Sequence, residues 1–160
     1  MSHLSDRALL WSGAATATGG LLHIAIIFGG PDWYQFFGAP PSLVQMARDG
    51  HPRAAISCVA IASVLFAFAA YAFSGTGVIR RLPLLRTSLF LIGGGLLMRG
   101  ILFVPIAVWY PRAVAGICDC NGADTFAVTT SAICLLVGLG YTLGAFGVPR
   151  WRDGGLAGLR

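Results

Sequence analysis

Four long apolar stretches run through this chain, at about residues 8–28, 54–73, 84–109 and 126–147, and short polar segments between them hold nearly all the charge. Each stretch is long enough to cross a bilayer as a helix, which needs about 20 apolar residues rising 1.5 Å each. The third is the longest, and its roughly 26 residues would span about 39 Å, enough for a tilted crossing. The pattern predicts an all-α protein: an integral membrane four-helix bundle forming a single domain over residues 1–160.

The punctuation is clear. Ser5 or Asp6 is placed to cap the first helix. Gly29-Gly30-Pro31 ends it. The first stretch is too long, and too weakly flanked, for a signal peptide, so it reads as a retained span. An aromatic segment follows, with Trp33, Tyr34, Phe36 and Phe37, of the kind that marks a membrane–water interface. Ser42 to Arg48 then predicts a short helix lying on the membrane surface. Asp49-Gly50-His51-Pro52 breaks it. Ser74-Gly75-Thr76-Gly77 is a turn, and Pro83 is suited to the first turn of the third helix. Pro105 predicts a kink or local break inside that helix. The fourth helix ends before Pro149.

Composition agrees. The chain is 56% hydrophobic and 11% charged, where soluble domains carry about 25% charged residues. Every cation is arginine and every anion aspartate. The net charge of +5 is no sign of nucleic-acid binding, because the arginines sit around the helix ends, where topology accounts for them. Seven arginines (Arg7, Arg80, Arg81, Arg86, Arg150, Arg152 and Arg160) fall on the side that holds both termini, against Arg48, Arg53 and Arg112 on the other. That bias predicts cytoplasmic termini.

Arg99 is the residue that topology does not explain. It lies inside the third stretch, where a charge is costly and marks a functional site by default. Every aspartate lies at a helix end or in a loop. Its partners must therefore be backbone carbonyls, hydroxyls such as Tyr141 or Thr129, a lipid phosphate, or a bound polar ligand. Snorkelling to the headgroups is the structural alternative. His23, in the second half of the first helix, could share a level with Arg99 and form a polar pocket, or simply bond to a neighbouring helix. One membrane histidine argues against haem of the bis-histidine kind. Cys118 and Cys120 flank Asp119 in a loop. A bridge across one residue is awkward and hence reducible, which makes the pair candidates for thiol–disulfide exchange. Two thiols with Asp119 or Asp124 fall short of a closed zinc set, so no metal site is expected. Cys58 and Cys134 are expected to pack as small apolar groups. Gly140 and Gly144 have the spacing for close helix crossing and mark a packing interface. The aromatic segment is an interface anchor, a lid or a partner surface.

The first helix, with Phe28-Gly29-Gly30-Pro31 and then Phe36-Phe37-Gly38-Ala39-Pro40-Pro41, resembles the DoxX-like group of small four-helix inner-membrane proteins of bacteria. The resemblance covers about a quarter of the chain. It implies a bacterial inner (cytoplasmic) membrane and places the short surface helix in the first periplasmic loop. It implies no activity. The outline is also similar to the disulfide-generating quinone oxidoreductases, which have four helices, cysteine pairs in both periplasmic loops and a quinone near an arginine. Here the loop from Gly29 to Arg53 has no cysteine. The functional expectation is a non-enzymatic accessory or scaffold subunit that packs against a partner protein or another copy. A lipid-like or quinone-like ligand would sit near Arg99, His23 and Tyr141. The alternatives are a periplasm-facing thiol–quinone redox protein using Cys118 and Cys120, and a small channel or transporter with Arg99 selecting anions.

Overall fold

The computed structural model describes residues 2–110, 112 and 125–148. Every regular element among them is helical: α1 (Ser2–Gly29), α2 (Pro31–Phe36), α3 (Pro41–Arg48), α4 (Pro52–Gly75), α5 (Leu85–Trp109) and α6 (Thr125–Gly147). Of these, α1, α4, α5 and α6 are long and apolar enough to cross a membrane. At most 28% of the apolar window of any of the four is buried within the protein. Large apolar side chains such as Leu21, Ile56, Leu91 and Leu136 are exposed instead. Apolar surface on that scale needs lipid or a partner to cover it.

The helix ends differ from the sequence reading in instructive ways. α1 begins at Ser2, so Ser5 and Asp6 lie inside it and do not cap it. Its first turns are held from the side, because Ser5 meets Gly147 and Leu9 meets Gly144 of α6. Tertiary packing of this kind extends a helix past its local start signals. The aromatic segment is not wholly a loop: Pro31 opens α2 at its first turn, with Asp32 beside it. Pro41 and Pro52 open α3 and α4 in the same way, which suits proline's missing amide and fixed φ. Pro83 does not open α5. That helix starts at Leu85, after Leu84 in a left-handed conformation (φ 53°), and it continues through Pro105 to Trp109.

Ser74 explains the turn between α4 and α5. Its buried hydroxyl donates to the Arg80 carbonyl (3.2 Å) and accepts from the Leu82 amide (2.8 Å). The turn is thereby folded back over the end of α4. Ser74→Ala strands the Leu82 amide and should lower stability by about 1–3 kcal/mol. Thermal unfolding in detergent reads the loss, and hydrogen exchange at Leu82 should quicken. An unchanged midpoint would show that the turn holds without this side chain.

Small residues set the helix order. A Cβ on Gly13 of α1 would lie 2.8 Å from the Ala72 Cβ of α4, and the buried face of α4 is Ala54, Cys58, Ala62, Ala69 and Ala72. On its other side α1 meets α6 through Gly140 and Gly144. Then α6 meets α5 where a Cβ on Gly93 would stand 3.0 Å from the Gly138 carbonyl. The order is α4–α1–α6–α5, and no Cα of α1 comes within 8 Å of a Cα of α5. α4 and α5 come together near their shared turn, where Ala72 joins Leu85 and Leu89 in the main core with Leu9 and Tyr141. Away from that end two leaves, α1 with α4 and α5 with α6, have cores of their own. Ile26, Tyr34, Val44, Ala54 and Cys58 knit α1 and α4 to α2 and α3. Phe103, Ala107 and Ala127 knit α5 to α6. The Phe126 ring of α6 lies against Gly38 and links the two leaves at this far end.

Candidate functional site

One stripe of α5 passes out of the core and carries Arg99 with it. Leu85, Ile92, Arg99 and Ile106 recur every seven residues and so lie nearly in line along the helix. Leu85 and Ile92 are 6% and 8% exposed, whereas Ile106 is 37% exposed and Arg99 is exposed. The stripe is covered at Leu85 and Ile92 and open at Arg99 and Ile106. A groove of about 310 Å³ opens there, lined by Gly95, Met98, Arg99, Leu102, Phe103 and Ile106. All six belong to α5, and Arg99 is the polar one.

The guanidinium is seated on an aromatic ring short of the helix end. Its central carbon sits 3.5 Å from the centroid of the Phe103 ring, a cation–π contact of about 0.5–2 kcal/mol. Phe103 is buried between Ala107, Ala127 and Phe126, so the aromatic seat is fixed. It lies about 9 Å short of Trp109 along the helix. The described residues give Arg99 neither a hydrogen-bond acceptor nor a carboxylate.

Cys134 of α6 stands within electrostatic reach of Arg99. The α5–α6 crossing puts it there, since the neighbouring Gly100 packs on Leu135 and the Ser131 carbonyl. His23 lies about 10 Å along α1 from Thr16, the partner of Tyr141. The His23 Nδ1 donates to the Gly19 carbonyl at 2.8 Å, which leaves Nε2 as the acceptor of the neutral ring. His23 and Arg99 are not brought together: no Cα of α1 lies within 8 Å of a Cα of α5.

Tyr141 is not a partner of Arg99. It is fully buried between α1 and α6, where its hydroxyl donates to Thr16 Oγ1 at 3.2 Å and Thr16 donates to the Ser12 carbonyl at 2.6 Å. Tyr141→Phe should cost about 0.6 kcal/mol, and no more than about 1.7, the range for hydrogen bonds between membrane helices. A double-mutant cycle with Thr16→Val measures it. A coupling of zero would mean that the pair contributes nothing.

Gly140 and Gly144 also serve the chain itself. Gly140 faces Ser12 and the Ala8 carbonyl, and Gly144 faces Leu9. Both are buried, so they are not an outward face for a partner. In the aromatic segment Trp33 is exposed and Phe36 is 79% exposed, with Phe37 packed against both rings. Tyr34 points the other way and is 3% exposed. Burial pushes its phenol well above the ordinary tyrosine range, and a hydrogen bond with the Cys58 thiol adds to the shift. Cys118 and Cys120 lie outside the described residues.

Sequence reasoning overlooked Ser131. Its hydroxyl is buried in the α5–α6 contact with no hydrogen-bond partner among the described residues. The signal was a polar residue on the small-residue stripe Ala127, Ser131, Gly138.

No protein family, no curated protein and no solved structure matches this chain. The groove on α5 must therefore be read from its own chemistry.

Proposed function

We propose that the protein is a small multi-pass membrane accessory subunit that holds a lipid-like or quinone-like ligand at Arg99. One observation carries this reading. The guanidinium stands on the outer side of an apolar helix, seated on Phe103, beside an open groove, and the described chain brings it no acceptor. An arginine at the centre of a span costs about 2.5–3.5 kcal/mol by insertion scales. A ligand that supplies the missing acceptor offsets that cost, and the apolar walls of the groove suit an apolar body. What the groove offers is binding: one cation, one aromatic seat and hydrocarbon around them.

The same reading places the chain in a bacterial inner membrane with both termini cytoplasmic, supported by the arginine bias. α2 and α3 then lie at the periplasmic interface, where exposed Trp33 and Phe36 suit the headgroup level. A protein partner, or a second copy, would cover uncovered apolar faces such as the one around Gly94, where nothing stands within 4 Å.

Purification in mild detergent, followed by extraction and mass spectrometry, tests the ligand. The wild-type protein should carry an amphiphile that Arg99→Leu loses. Equal retention by the two proteins would overturn the reading.

A further inference from the structure

Taking Arg99 as the ligand site, we infer that its occupant is an anionic lipid with a small oxyanion head, a carboxylate or phosphate monoester borne directly on an apolar chain, which reaches the groove sideways from the bilayer. Three observations lead there.

The first is charge. The described aspartates, Asp6, Asp32 and Asp49, all lie near helix ends, so among the described residues none neutralises Arg99 within the apolar layer. A neutral carbonyl, such as that of a quinone, supplies an acceptor but leaves a net cation in a medium of low dielectric. An oxyanion supplies both the acceptor and the opposite charge, and its paired oxygens match the guanidinium fork.

The second is the size of the polar part. Around Arg99 the groove offers Gly95, Met98, Leu102, Phe103 and Ile106, and none of these side chains forms strong hydrogen bonds. A large polar headgroup would place further donors and acceptors against hydrocarbon, unpaired. A single small oxyanion leaves nothing unpaired, and the chain beneath it meets apolar walls along about 16 Å of helix from Gly95 to Ile106.

The third is direction. Every lining residue belongs to one helix, so the groove opens to the side. Phe103 is buried under the guanidinium, which keeps the cation facing outward. A ligand already in the bilayer meets it without crossing water.

The test uses the full chain, purified in a zwitterionic detergent and titrated with oleate, 1-oleoyl lysophosphatidate, monoolein and decylubiquinone, with acetate and inorganic phosphate as soluble anions. Native mass spectrometry or tryptophan quenching reads the binding. Oleate and lysophosphatidate should bind at least tenfold more tightly than monoolein or decylubiquinone, and the soluble anions should not compete at millimolar concentration. Arg99→Leu should weaken oleate at least tenfold. Gly95→Leu, which fills the groove where a Cβ meets nothing within 4 Å, should also weaken it while leaving Arg99 in place. Arg80→Gln with Arg81→Gln should change nothing, because those residues lie in the turn beyond the groove. Helical circular dichroism and a single elution peak confirm that each variant is folded.

Decylubiquinone binding that needs Arg99 and matches or exceeds that of oleate would overturn the anionic inference but keep the ligand reading. Competition by free phosphate or acetate would overturn the lipid source. Oleate binding unaffected by Arg99→Leu would overturn the inference at this site. Failure of every amphiphile to bind would overturn both the inference and the ligand reading.

Discussion

Replacing Gly138 with leucine should drive α5 from α6 and destabilise the protein by about 3 kcal/mol, the upper part of the usual range for overpacking. The site cannot yield by a side-chain rotation. A Cβ at Gly138 would stand 3.0 Å from the Gly93 carbonyl oxygen and 3.0 Å from the Leu97 amide nitrogen. Both are backbone atoms, so the helices themselves must separate. Separation would also loosen the crossing that brings Cys134 and Ser131 toward the Arg99 level. The measurement is a denaturation curve in mixed micelles followed by helical circular dichroism. Gly94→Leu is the matched control, since a Cβ there meets nothing within 4 Å. It should be neutral or slightly stabilising, because glycine is a poor helix former. Equal losses in the two variants would show that glycine matters here for some reason other than the α5–α6 approach.

Arg99→Leu should have opposite effects on stability and on binding. In the ligand-free protein it removes a charge that costs about 2.5–3.5 kcal/mol in a span and gives up a cation–π contact worth about 0.5–2 kcal/mol. The net expectation is a gain of about 2 kcal/mol, read as more efficient membrane insertion and a later unfolding midpoint. The co-purifying amphiphile should be lost at the same time. A residue that lowers stability while it enables binding is what a ligand site requires. The contrary result is just as informative. If Arg99→Leu unfolds the protein, the arginine holds the bundle together, and the cation on Phe103 is structural.

Both experiments turn on features that the sequence exposes to different degrees. Arg99 was legible at once, because one charge in a long apolar run needs no partner to be noticed. Its seat on Phe103 was legible in principle, four residues on and on the same helix face. Helix α2 was legible too: Pro31 followed by Asp32 is a start signal, masked by the aromatic residues around it. The early start of α1 was not legible, because Ser5 and Leu9 are held by α6 and no local signal reports that.

The hydrophobic pattern alone established four helices long and apolar enough to span a bilayer, since a helix suited to hydrocarbon satisfies its own backbone and reveals itself by length and apolarity. Tertiary structure decided which surfaces those helices cover. Gly140 and Gly144 announce a close approach, but only the folded chain shows that Ser12 and Leu9 of the same chain make it. Tyr141 announces a hydroxyl in need of a partner, and only the fold assigns it Thr16. Lipid and neighbouring helix are equally apolar, so hydropathy cannot tell one from the other. The pairing of α1 with α4 and of α5 with α6 follows from small residues meeting across particular helix pairs, a register that no single stretch of sequence contains.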